Sequence, residues 1–173
     1  MSLCEYTEEN GLKTEKEVLT TPQRFLELLL IPAMLLLFGF LAYHQAEDTG
    51  FFTDEFGTVE QFCLYGPIFV SLAAPLIRAG SGRRNPARPF EAVTHLFLAL
   101  GSLWLLIVFP FDFPHLADAL PEGIRFILSW VTNDIGKIPL IIQVILEPIM
   151  ALLTARKYLL TRQRLSLSAP TSL

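Results

Sequence analysis

Four apolar blocks divide the chain, each nearly free of charge and each bounded by polar or helix-breaking residues. Residues 25–43, 59–77 and 91–111 each come close to the ~20 helical residues that cross a hydrocarbon core. Thr21 ahead of Pro22 offers a capping hydroxyl followed by proline at the helix start, where the missing N–H leaves no bond unmade. Thr58 and Gln61 have capping-box spacing before the second block. The third block follows Arg88-Pro89 and stops at Pro110, whose ring disfavours further helix.

The last apolar stretch, 121–155, is too long for one crossing. As a single straight helix it would measure on the order of 50 Å, against a core of ~30 Å. It is therefore predicted to divide. Arg125, Ser129, Thr132 and Asn133 recur on one helical face among apolar residues, which predicts an interfacial helix over about 121–134. Gly136 and Pro139 supply a bend, and 138–155 forms the fourth span. The predicted fold is all-α: a polytopic membrane protein with four transmembrane helices and an interfacial helix before the last span. Residues 25–155 form the bundle, with an N-terminal segment 1–24 before it and a basic tail 156–173 after it.

Composition agrees with this pattern. Of 173 residues, 52% are hydrophobic and 17% charged, against ~25% charged in a soluble domain. Mean hydropathy is +0.47. The net charge is -4 and the basic residues sit in short loops beside apolar spans, so no nucleic-acid surface is predicted. Cys4 and Cys63 lie in segments that do not readily meet, so no disulfide is predicted. The polar, glutamate-rich segment before the first block differs from a secretory signal, and that block reads as a retained span.

Charge also gives an orientation. Lys13, Lys16 and Arg24, then Arg78, Arg83, Arg84 and Arg88, then Arg156, Lys157, Arg162 and Arg164 fall on one side of an even number of spans. The opposite loops, HQAEDTGFFTDEFG and DFPHLADALPEG, hold no Lys or Arg and seven acidic residues. Segregation of this kind places both termini in the cytoplasm, across a plasma or inner membrane.

Within the spans, chemistry gathers at one depth. Glu147 lies nine residues from Arg156, and His95 seven from Arg88. That puts both roughly 10–13 Å inside the basic boundary. Ser71 reaches a similar level, and Gln143 precedes Glu147 by one helical turn. An ionised carboxylate near the bilayer centre costs at least ~2.5 kcal/mol, so Glu147 should be neutral or should have a partner such as protonated His95. Pro148 cannot donate to the carbonyl of Val144, which leaves that oxygen for another donor. Two readings stay open, a hydrogen-bonded joint between helices and a proton or cation site. Glu27, three residues from Arg24, reads as a structural ion pair with it.

Weaker constellations flank the bundle. Arg83, Arg84 and Arg88 suit anionic lipid headgroups. His44, Asp112, His115 and Asp118 have the donor types for zinc or manganese, but their spacing is irregular and Pro114 interrupts it, so polar loop residues are the simpler reading. A bis-histidine haem would need two deep histidines, and only His95 is deep, so no cofactor is implied. No Walker pattern or nucleophile motif occurs, and the polar segments are too short for an enzyme domain. Prolines 32, 67, 75 and 148 interrupt the first, second and fourth spans, as is common in transporters. The function these features predict is a non-catalytic subunit or accessory protein of a membrane complex. The alternative is a small oligomeric proton- or cation-coupled transporter or channel using Glu147, His95 and Gln143. Predicted partners are the lipid bilayer, anionic headgroups, and other membrane subunits or further copies of the chain.

Overall fold

The chain's computed structural model describes residues 17–168, with side chains through Arg164. Helix α1 is Thr21–Ala46, α2 Thr58–Ser71, α3 Ala73–Ser81, α4 Arg88–Val108 and α5 Asn133–Ser168. Short 3-10 helices occupy Asn85–Ala87, Phe113–Ala119 and Glu122–Ile127. Among the described residues the only extended pairings are two isolated bridges, Val18 with Arg83 and Phe52 with Phe111. Four helical stretches are long and apolar enough to cross a membrane: Thr21–Ala46, Thr58–Ser81, Asn85–Val108 and Asn133–Arg164. This is an all-α, multi-pass membrane architecture.

Local chemistry explains the boundaries. The cap of α1 is Thr20, whose N–H donates to Gln23 Oε1 at 3.1 Å, one residue before the cap predicted at Thr21. The start of α2 is closed by Glu60, whose Oε2 accepts from Gly57 N at 3.0 Å, so a carboxylate takes the place predicted for Gln61. The second span breaks at Leu72. Pro75 has no N–H for the carbonyl of Ser71, and the chain tightens there, with Leu72 N bonded to Phe69 O at 3.2 Å. α3 stops at Gly82, which takes the left-handed conformation at φ 65°. α4 ends at Phe109, also left-handed at φ 45°, because Pro110 disfavours right-handed helix in the residue before it.

The region before the last span departs from expectation. Instead of an α-helix over 121–134, a single 3-10 helix is followed by a turn. Pro121 and Gly123 weaken α-helix at its start, and side chains compete for the backbone: Arg125 Nε donates to Leu120 O at 3.0 Å and Trp130 Nε1 to Ile127 O at 2.7 Å. Gly136 and Pro139 lie inside the first turns of α5 and do not precede it. At 36 residues α5 is about 54 Å long, so the basic segment predicted as a separate tail continues the helix as far as Ser168.

α4 is the central helix, packed against α2 on one side and α5 on the other. Small residues permit the approach: a Cβ on Gly101 would lie 2.7 Å from the carbonyl oxygen of Cys63, and one on Gly66 would strike the Phe97 ring. α1 rests mainly on α3 and leaves much of its apolar surface outside. At the acidic end of the bundle Leu41, Phe51, Ile68, Leu105 and Phe111 form the buried core. Rings close it: Phe52 stacks on Phe56 at 3.9 Å, and Phe51 meets Phe113 edge-on at 5.3 Å.

The basic end is held by ion pairs. Arg24 does not pair with Glu27. It donates to the carbonyl oxygens of Ala79 (2.6 and 2.9 Å) and Gly80 (3.1 Å), capping the C-terminus of α3. Glu27 instead meets Arg78 at 2.9 Å, and Arg78 also pairs with Glu91, which joins three spans. The correction is geometric: carbonyls at a helix C-terminus are strong acceptors for a guanidinium, and Arg78 on α3 reaches Glu27 across the interface.

Candidate functional site

Inside the α4–α5 interface the two helices run antiparallel, so residues high on one meet residues low on the other. His95 faces Glu147, with Nδ1 2.5 Å from Oε2, and two turns further along α4 Ser102 faces Gln143, its Oγ donating to Oε1 at 2.5 Å. His95 and Ser102 are seven residues apart and Gln143 and Glu147 four apart, so both pairs lie on one helical face. Ala99 and Ala151 are buried beside them, small enough to let the backbones approach.

The two pairs differ in enclosure. Ser102 is buried, whereas the His95 and Glu147 side chains keep 24% and 18% of their surface exposed. Nδ1 and Oε2 satisfy each other, but the opposite edges, Nε2 of His95 and Oε1 of Glu147, have no hydrogen-bond partner among the described residues.

Ser71, predicted at the same level, does not join this layer. Its Oγ donates to Ile68 O at 2.6 Å, within its own helix. Thr94, beside His95, likewise turns back to Phe90 O at 2.9 Å. The place expected for Ser71 belongs to Ser102, which shares the helical face of His95 at two-turn spacing. A second interhelical pair also escaped the sequence: Trp104 Nε1 donates to Glu60 Oε1 at 2.8 Å, tying α4 to α2.

Of the four residues considered for a metal, His115 meets Asp112 and Asp118, while the ring of His44 is taken up elsewhere. His44 is buried between the rings of Phe40 and Phe51, and its Nδ1 lies 2.5 Å from Thr49 Oγ1. His115 sits 2.8 Å from Asp118 and 3.9 Å from Asp112, on the exposed rim. Among the described residues no three His, Cys, Asp or Glu side chains are arranged to hold a metal ion. His44 is withdrawn because its ring fills the aromatic core.

On the basic loop Arg83 and Arg84 are exposed, while Arg88 turns inward. Its guanidinium pairs with Glu17 at 2.6 Å and donates to Thr161 Oγ1 at 2.8 Å and Asn85 Oδ1 at 2.9 Å, clasping the extension of α5 to the loop. No protein-family model matches the chain, and neither the curated proteins nor the solved structures contain a match to it.

Proposed function

We propose that this integral membrane protein is a non-catalytic subunit of a membrane complex, with both termini on the cytoplasmic side. The observation that carries this reading is how the intramembrane polar groups are used. Ser102 with Gln143, Trp104 with Glu60, and His95 with Glu147 each join neighbouring spans. Such contacts hold helices together, each worth roughly 0.6–2 kcal/mol in membranes. Beyond them the spans present apolar faces on every helix, available to lipid or to another membrane helix.

One observation favours a second reading. The partial exposure of His95 and Glu147 leaves a titratable pair accessible from outside the joint, as a proton- or cation-coupled transporter would need. Flux measurement separates the two. Purified protein in liposomes is expected to carry no flux under an imposed pH or monovalent-cation gradient, and to leave the membrane in mild detergent as an assembly of fixed stoichiometry. A flux abolished by Glu147→Gln would overturn the subunit reading and establish transport.

A further inference from the structure

We propose that the face of α5 turned away from α4, at the basic end, binds the headgroups of anionic phospholipids, with Arg156 at its centre. The proposal goes beyond the subunit assignment and holds for a subunit and a transporter alike. Asn133 to Arg156 measures about 34 Å along α5, close to a hydrocarbon core of ~30 Å. With the start of the helix at one boundary, Arg156 therefore stands at the other. Lys157, Arg162 and Arg164 follow, and no acidic residue occurs after Glu147.

The acidic groups at this end are already engaged. Glu17 pairs with Arg88, and Glu27 and Glu91 pair with Arg78. Arg156, Lys157, Arg162 and Arg164 are exposed and have no ion-pair partner among the described residues. Four unpaired cations directly after a membrane span attract anionic lipid, each strengthening association about fivefold near the charged surface.

The helix geometry selects a ligand with acyl chains as well as a charge. Leu152, Leu153, Leu159 and Leu160 lie three or four residues from Arg156, hence on its face of the helix, and are 42–73% exposed. Ala151 and Thr154 are buried on the opposite side with Glu147, which meets His95 of α4. The face of Arg156 thus looks into the bilayer, and Lys157 and Arg164, seven residues apart, form one flank of it. An acyl chain can lie along Leu152 and Leu153 while its phosphate takes the guanidinium, which donates two parallel hydrogen bonds to such a group. A free anion or an acidic peptide makes only the second contact.

Arg83 and Arg84 lack this arrangement. Their loop is bonded to the N-terminal segment, Arg84 N donating to Glu17 O at 3.0 Å and Leu19 N to Gly82 O at 2.8 Å. No large aliphatic or aromatic residue occurs within 79–87, and Arg88 is turned inward. The headgroup contact expected of these three arginines therefore moves to α5.

The test measures lipid selectivity of the full chain in phosphatidylcholine bilayers, with spin-labelled phosphatidylglycerol or spin-labelled phosphatidylcholine as the probe. The motionally restricted fraction is expected to favour phosphatidylglycerol at least about fivefold, and less so at high salt. Arg156→Gln with Lys157→Gln and Arg164→Gln should bring the ratio close to one with helical content retained. Arg156→Lys with Arg164→Lys should keep the preference, and Arg83→Gln with Arg84→Gln should leave most of it. A preference removed by the loop variant and not by the α5 variant overturns the proposal. Loss of the preference on adding inorganic phosphate at constant ionic strength also overturns it, by marking a free-anion site. No preference in the wild type overturns it as well, and polyglutamate retained by those bilayers then assigns the cations to an acidic polypeptide. Flux and copurifying subunits are separate readouts, so the subunit reading stands or falls independently of this result.

Discussion

Ser102 donates to Gln143 at 2.5 Å across the α4–α5 interface, two helical turns from the contact of His95 with Glu147. The bond is enclosed, with Ser102 only 4% exposed, so water and lipid do not replace it when one side is removed. Ser102→Ala and Gln143→Leu should each lower stability, the single changes leaving an unpaired group. In a double-mutant cycle measured by unfolding in mixed micelles, the coupling should be about 0.6–1.7 kcal/mol. A coupling of zero would mean that the contact does not hold the helices.

Two glycines should respond differently to alanine. At Gly136 a Cβ would strike the ring of Phe113, a side chain that can be trimmed. At Gly101 it would meet the backbone carbonyl of Cys63, which cannot. Both substitutions should destabilise, by roughly 1–3 kcal/mol for overpacking. Phe113→Leu should restore a good part of the loss in Gly136→Ala, whereas Gly101→Ala should require α4 to separate from α2. Thermal unfolding of the three variants checks this, and equal effects without rescue would contradict the packing described.

The fold was largely legible because membrane crossing imposes a coarse rule, about 20 apolar residues per span, which finds the spans but not their ends: the helix expected over 91–111 is Arg88–Val108, and the stretch expected over 59–77 continues to Ser81. The meeting of Glu147 with His95 could be reached by counting depth from Arg88 and Arg156. Depth does not give azimuth, and this is where the sequence failed for Ser71, which lies at the right level on a helix that does not face α5. Ser102 could have been found from its two-turn spacing to His95. Nothing in the sequence marked Arg78 as the bridge between Glu27 and Glu91, since that choice depends on how α3 sits against α1 and α4. The 3-10 geometry of Glu122–Ile127 was hidden because the spacing of Arg125, Ser129, Thr132 and Asn133 reads as helical face even where the backbone bonds do not continue.

Arg88 should govern the order of the α5 extension. Its bonds to Glu17, Asn85 and Thr161 join three separate stretches of chain at the basic boundary. Arg88→Gln removes the charge that holds Glu17, with an expected effect on global stability of about 1 kcal/mol or less, because the pair borders water. Locally the change should be larger. Amide hydrogen exchange around Lys157 to Thr161 should quicken several-fold, while exchange at Gln143 to Glu147 stays unchanged. Equal acceleration in both places would show general unfolding and not a released clasp.

The segregation of charge makes the orientation testable without knowledge of function. Asp54 and Asp118 lie in the acidic loops, and Arg83 and Arg84 are exposed on the opposite, basic side. Moving four arginines through a bilayer is far less favourable than moving acidic loops of similar length, because insertion discriminates against Lys and Arg and is nearly indifferent to Asp and Glu. In a background of Cys4→Ser and Cys63→Ser, Asp54→Cys and Asp118→Cys should react with an impermeant maleimide added outside intact cells, and Arg84→Cys only after permeabilisation. The converse pattern would place both termini outside and remove the cytoplasmic assignment, while the helix contacts at His95 and Glu147 would be unaffected.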